Sequence, residues 1–462
     1  MTDSLKTDYL VIGSGAVGMA FVDTLLDELP DVDIIMVDRF AKAGGHWNSA
    51  YPFVTLHQPS AFYGVNSREL SQGKRDEIGL NKGLGDLAIG TEILAYFDEV
   101  MRQKFLNSGR VRFFSLSDYK GEGVFEHRLS GKATKVTARK IVDCTHLNTT
   151  VPSTHTPNFQ VGADVAFMPL NDLPLISELP KGFTIIGGGK TGIDAILWLL
   201  ENHVPAQSIR WIKSRDAWLI NRKHTQPFPE FFEGTIGNQA NMFEAIAAAN
   251  SKSDMFDRLE TCGYFLRLDP TIRPTMFHGA TISELELEAL RRVKDVVRKG
   301  RVAKIDSQNI SFVNGRTEPS LGHIMVDCSA SAIKYNIIKP VFQGDVITPQ
   351  TTRAYQPVFS AAMIAWVEAN IEGEAAKNSL TGVVPLPDSL DDFVRMTAAN
   401  FMNQALWGQN KPLRQWMRES RLDGFSKLVS TVDPDDTPKV EILNRMRAAA
   451  LPAMGKLQSF LN

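Results

Sequence analysis

Two glycine turns of the same spacing constrain this chain more than any other feature: Gly13-Ser14-Gly15-Ala16-Val17-Gly18 and Gly187-Gly188-Gly189-Lys190-Thr191-Gly192. Each follows a short apolar run, Tyr9-Leu10-Val11-Ile12 or Phe183-Thr184-Ile185-Ile186, and leads into a helix-forming stretch, residues 19–29 or 193–201. Strand, GxGxxG turn and helix in this order open a βαβ dinucleotide-binding unit. The first glycine permits the sharp bend, the second lets the backbone approach a pyrophosphate, and the third lets helix and strand pack closely. Gly13, Gly15 and Gly18 take these places in one unit, and Gly187, Gly189 and Gly192 in the other. Free N–H groups and the positive dipole end of the following helix attract phosphate, with Ser14, Ala16, Lys190 and Thr191 beside it.

The units differ where their second strands end. Ile34-Ile35-Met36-Val37 runs into Asp38-Arg39, and a carboxylate at this place accepts hydrogen bonds from a ribose hydroxyl pair. Ser208-Ile209-Arg210-Trp211-Ile212 runs instead into Lys213-Ser214-Arg215. A carboxylate there would repel a 2′-phosphate, whereas Ser214 and Arg215 can bind one with charge-assisted hydrogen bonds.

After Asp38 comes Gly44-Gly45-His46-Trp47. On these residues the chain resembles the flavin-containing monooxygenase and Baeyer–Villiger monooxygenase superfamily, in which a Gly-Gly-x-Trp turn follows the ribose-binding acid. The resemblance implies FAD at the first turn, with Arg39, Gly45, His46 and Trp47 beside it. Ser214-Arg215-Asp216-Ala217-Trp218 resembles the Arg-Ser-Gly-x-Trp stretch that carries the NADPH preference of flavin monooxygenases. Leu56-His57-Gln58-Pro59-Ser60 resembles the Leu-His-x-Pro-Lys segment that approaches the flavin ring in the plant enzymes. His57 and Gln58 are therefore the candidate catalytic donors, with Tyr51, Phe53, Phe62 and Tyr63 as an apolar wall around them. Farther on, Tyr355-Gln356-Pro357 precedes an apolar helix over residues 361–370, and Pro357 suits a first helical turn. By the same resemblance, Gln356 and Pro357 face the flavin pyrimidine edge.

FAD and NADPH in one chain imply hydride transfer from nicotinamide C4 to flavin N5. In the superfamily, reduced flavin and molecular oxygen give a C4a-(hydro)peroxide that oxygenates a small organic substrate. One departure bears on this: the family pattern F-x-G-x-x-x-H-x-x-x-[YF] falls on residues 159–169, which contain no histidine. Three readings follow: a monooxygenase, an NADPH-dependent flavin reductase or oxidase without oxygen transfer, and a flavin-binding regulatory or redox-sensing protein.

The expected fold is α/β, with two Rossmann-like domains. The FAD domain is discontinuous, over residues 1–172 and 325–380, and the NADP domain is inserted at 173–324. A helical insert is expected at about 222–300, with helices over 241–250, 254–260 and 283–298, and a helical C-terminal region over 381–462. Thr91 is the expected cap of a helix reaching 106, and residues 71–90 a surface or lid segment. Lys411, Arg414, Arg418 and Arg421 give the C-terminal region a basic, solvated face.

A formal charge of −2 offers no basic excess for nucleic acid. Cys144, Cys262 and Cys328 contain no CxxC, which points away from a disulfide scaffold and a redox dithiol. No HExxH helix, zinc-ligand spacing or Ser-His-Asp order is present, so no metal is expected. No apolar run is long enough for a membrane span, and a first strand near residue 9 leaves no room for a leader, so the cytoplasm is the expected compartment. A homo-oligomer is compatible with this composition.

Overall fold

The computed structural model describes residues 3–71, 73–147, 149–330 and 337–461. Met1 and Thr2, where a leader would begin, lie outside the described residues. The apolar runs become parallel strands buried on both faces: every residue of Ile34–Val37 and of Gly182–Ile186 is buried.

The first sheet runs in the order Phe342–Gln343, Val346–Ile347, Ala133–Asp143, Asp3–Ile12, Ile34–Val37, Val111–Phe114. The hairpin Ser117–Gly121 and Val124–His127 pairs with Ala133–Asp143 as well. Ile12 lies opposite both Val37 and Asp143 in parallel register. Successive strands leave Asp3–Ile12 on opposite sides, so the crevice at its carboxyl end, where Gly13 stands, is a topological switch point.

The second sheet repeats this plan and is parallel throughout, in the order Asp295–Val297, Ile209–Ile212, Gly182–Ile186, His323–Asp327, Phe167–Pro169. All five strands fall in sequence between Ala133–Asp143 and Phe342–Gln343, so the second domain is inserted in the first. Phe167–Pro169 and His323–Asp327 both belong to this sheet, which therefore reaches across the expected divisions at 172 and 324. Helices Ala16–Glu28 and Pro357–Asn370 pack together in the main core, and Lys190–Glu201 packs on Glu284–Leu290.

The insert is mixed rather than helical. Helices Asn238–Ala247 and Lys252–Thr261 accompany a three-stranded sheet of Phe265–Leu266, Ala217–Asn221 and Met276–Ile282. The helix expected over 283–298 starts as read, with the Ser283–Glu286 capping box, but stops at Leu290. Asp295–Val297 pair instead with Arg210, Trp211 and Ile212, and Arg210 Nε donates to Asp295 at 2.8 Å. Sheet pairing overrides the helical period there. Thr91 is not a cap either: the helix Gly90–Val100 begins before it, and the Glu92 carboxylate accepts from the Ile89 N–H at 2.9 Å.

The C-terminal region is helical: Leu390–Gln409, capped by Ser389 as expected, then Lys411–Glu419, Ser426–Ser430 and Thr437–Leu461. Arg421 departs from the expected solvated face. It lies beyond the helix, and its guanidinium donates to the carbonyls of Ala61, Tyr63 and Val65. The C-terminal region thus clamps the aromatic stretch after the first turn. Among the described residues no helix is long and apolar enough to cross a membrane.

Candidate functional site

At the first turn Gly13 has φ +95°, and a Cβ on Gly18 would collide with the Gly13 carbonyl oxygen. The helix Ala16–Glu28 starts at Gly15 with no side-chain cap and no acid in its first turn, leaving N–H groups for an anion. The Gly44-Gly45 turn lies over this one. Gly44 N–H donates to the Ser14 carbonyl at 2.9 Å, and a Cβ on Gly45 would stand 2.8 Å from the Gly15 Cα. Asp38 faces the same turn: one carboxylate oxygen accepts from the Ser14 N–H (2.5 Å) and hydroxyl (2.8 Å), the other from the Phe40 N–H (2.8 Å). Arg39 points outward near Asp118 at 3.7 Å. Burial pushes the His46 imidazole down to about 4, so it is neutral, and Trp47 Nε1 donates to the Tyr63 hydroxyl at 2.7 Å.

Gln356 and Pro357 begin the helix that packs beside this unit. Gln356 is buried and accepts from Arg353 at 3.3 Å. Arg353 is itself fixed by Asp423 at 3.0 Å and by the Phe359 ring, 3.8 Å below its guanidinium. Tyr355 just before them has φ +62°, a conformation rare for an aromatic residue.

The second turn has the same skeleton and a different cover. Gly187 and Gly192 are tight: a Cβ on Gly187 would strike the Cys328 carbonyl, and one on Gly192 the Gly187 carbonyl, which also accepts from Trp211 Nε1 at 2.7 Å. A Cβ on Gly189, by contrast, would meet nothing within 4 Å. The helix Lys190–Glu201 again has neither a side-chain cap nor an acid in its first turn, and Lys190 pairs with Asp194. At the strand end, Lys213 turns inward to Asp216 at 2.9 Å, Ser214 is exposed, and Arg215 Nη2 donates to Asp388 at 2.9 Å.

The stretch after Trp47 joins the two units. Tyr51 donates its hydroxyl to Asp194 at 2.6 Å, and Phe53 stacks on Trp198 with ring centroids 4.6 Å apart, both partners lying on the second unit's helix. His57 follows. Burial, then the positive charges of Lys190 and Arg222, hold its imidazole well below the usual histidine range. Its backbone carbonyl accepts from Arg222 Nε at 2.9 Å. Among the described residues, neither the His57 ring nor the Gln58 amide has a hydrogen-bond partner, so the loop is pinned by backbone and the two side chains are uncommitted.

Arg222 was not among the residues singled out from sequence. It is fully buried and also donates to Asn81 Oδ1 (3.0 Å) and the Thr281 carbonyl (3.1 Å), and it pairs with Glu286 at 2.9 Å. The segment expected as a surface or lid element is exposed over most of residues 73–79 and docked farther on: Ser283 donates to the Leu80 carbonyl, and Gly85 N–H donates to Gln226. A charged residue directly after the strand-like run Trp218-Leu219-Ile220-Asn221 was the available signal. Asp388 carries none, being one acid among several before a helix.

Burial pushes the Cys144 and Cys328 thiols well up, and all three cysteines are free, which gives no reactive thiolate at either turn. Among the described residues no group of acids, histidines and cysteines could hold a metal.

No family model matches the chain. Solved structures similar to it include an oxidized steroid monooxygenase bound to NADP, at 13% identity and TM-score 0.49, covering 79% of this chain and 85% of that one. A polycyclic ketone monooxygenase from Thermothelomyces thermophila gives 13% and 0.48, with 100% and 88% covered. The bacillithiol disulfide reductase of Staphylococcus aureus gives 10% and 0.45, with 80% and 100% covered. In sequence, uncharacterized protein Rv2000 of Mycobacterium tuberculosis (strain H37Rv) is 44% identical over 427 residues, 92% of this chain and 79% of that protein. Mb2023 of Mycobacterium bovis matches to the same extent. The chain belongs to one family with these mycobacterial proteins.

Proposed function

We propose that the chain is an FAD- and NADPH-dependent oxidoreductase, with FAD on the first glycine turn and NADPH on the second. One observation carries the proposal: a single stretch, residues 44–58, lies on Gly15 at one end and on the helix of the second turn at the other. Two phosphate cradles tied by one loop suit two dinucleotides whose rings meet between them.

The covered turn suits a resident group. Gly13, Ser14, Gly15, Ala16 and Gly18 would cradle the FAD pyrophosphate, with Gly45, His46 and Trp47 closing over it and Gln356 and Pro357 at the other end. Asp38 would reach the ribose with the lone pair that the turn leaves it, and Arg39 would flank it. The open turn suits an exchanging one: Gly187, Gly189, Lys190, Thr191 and Gly192 for the phosphates, Ser214 and Arg215 for a 2′-phosphate. When bound, the pair supplies hydride transfer from nicotinamide to flavin.

The chain's own part is to align the rings and keep the space between them dry. Tyr51, Phe53, Phe62 and Tyr63 exclude water. His57 is held neutral, so its ring offers one donor and one acceptor rather than a charge, and Gln58 adds an amide. Two uncommitted polar side chains on a loop that also carries these four aromatic residues favour oxygen transfer to a small organic substrate. The absence of a histidine in residues 159–169 favours the second reading, an oxidase that releases hydrogen peroxide.

Oxygen uptake with NADPH, measured alongside peroxide release over a substrate panel, tests this. Peroxide falling below NADPH consumption with some substrate supports transfer. One peroxide per NADPH throughout leaves the oxidase, and no oxygen uptake removes both.

A further inference from the structure

We propose that Asp388 sets how strongly the second turn distinguishes a 2′-phosphorylated nucleotide from its 2′-hydroxyl counterpart, by holding the guanidinium that would take the phosphate. The inference rests on the reading of this turn as the NADPH site.

Asp388 comes from the C-terminal region, far from the turn in sequence. It is brought there by the sheet: Met276 bridges Ser389, and the Phe277 N–H donates to the Asp388 carbonyl at 3.3 Å. Its carboxylate then receives Arg215 Nη2 at 2.9 Å and contacts His278 Nε2. The side chains of Arg215, Asp388 and His278 are 34%, 29% and 34% exposed, so a ligand can reach all three. The other cations nearby are committed inward: Lys213 pairs with Asp216 and lies over the Trp211 ring, and Arg298 pairs with Asp216 at 2.8 Å and Asp269 at 3.4 Å. Arg215 and His278 are left to meet an incoming phosphate, and both already face one carboxylate.

A 2′-phosphate at Arg215 therefore competes with Asp388 for N–H groups and meets its negative charge at short range. A 2′-hydroxyl meets no such opposition. Asp388 is thus a positioning residue that weakens the preference Arg215 alone would give. The Asp388→Asn change keeps the shape and one oxygen acceptor while removing the charge. It leaves intact the Ser389 cap, which bonds to Asp392.

The test is isothermal titration of the full chain with adenosine 2′,5′-diphosphate and adenosine 5′-diphosphate. Asp388→Asn and Asp388→Ala should each tighten the 2′,5′-diphosphate by about tenfold, the scale of one charge-assisted contact, and shift the 5′-diphosphate by less than about twofold. Arg215→Ala should cancel the gain when combined with either. If the 5′-diphosphate binds and both Asp388 variants leave the ratio unchanged or lower it, the inference is overturned while the site stands. If neither probe binds any variant, the NADPH reading falls and the inference with it.

Discussion

The two glycine turns share a skeleton and differ in what lies over them. The first is roofed by Gly44-Gly45, and its acid, Asp38, is bonded back onto Ser14 and Phe40. The second is open at Gly189, and its strand ends in Ser214 and Arg215 at the surface. The difference teaches that the motif sets only the phosphate cradle. On the proposed reading, what surrounds it decides whether a dinucleotide stays or exchanges, and which ribose is welcome.

The coupling between the turns offers the largest effect. Arg222 holds the His57 carbonyl to the second domain from a fully buried position. Arg222→Met removes the cation that faces Glu286 and the donor to three acceptors, so stability in urea should fall by about 3–5 kcal/mol. A loss under about 1 kcal/mol, within the range of ordinary surface changes, would mean that the hub does not join the two regions.

The roof itself can be probed with pH. Free histidine titrates near 6.5 and the folded His46 at about 4. Between those values the unfolded chain binds a proton that the folded chain does not, so stability rises with pH across this window and is lost as pH falls through it. The slope is about 1.4 kcal/mol per pH unit for this group. His46→Gln should remove it, so the stability of the native chain relative to the variant should drop by about 3 kcal/mol from pH 7 to pH 4. Parallel curves would place His46 in water.

Alanine substitutions separate cradle from fold. Gly18→Ala and Gly192→Ala force a Cβ against a carbonyl and should each cost about 1–3 kcal/mol. Gly189→Ala meets nothing and should leave stability unchanged while weakening nucleotide binding at the second turn. Equal stability losses at Gly189 and Gly192 would erase the distinction between an open and a packed position.

The smallest effect on folding is expected between the turns. His57→Ala and Gln58→Ala remove side chains that pin nothing, so both variants should retain flavin and be reduced by NADPH at near-native rates. More hydrogen peroxide per NADPH is then the expected change, read by stopped-flow reduction traces and a peroxide assay. Loss of flavin or of stability in either variant would mean that the side chains hold the loop after all.

Much of this was legible in the sequence because its signals are local. Both turns, the Ser283 and Ser389 caps and Pro357 at a helix start all follow from spacing over a few residues, and the family resemblance implied the inserted second domain. What was not legible depends on partners distant in the chain. The period over 283–298 is helical, yet Asp295–Val297 complete a sheet that needs an edge. Arg421 looks like part of a basic face until Ala61, Tyr63 and Val65 present their carbonyls to it. Arg222, Asp388 and the Tyr51–Asp194 bond likewise join residues with no common local pattern.

The central claim is that the roofed turn holds FAD and the open one delivers NADPH to it. An absorbance spectrum of the purified protein, followed by anaerobic addition of NADPH, tests both parts at once. The native protein should carry a flavin spectrum that NADPH bleaches faster than NADH does, and Gly15→Val should lack that spectrum. A native protein that is colourless and cannot be reconstituted with FAD, or whose bound flavin no nicotinamide nucleotide reduces, would contradict the account.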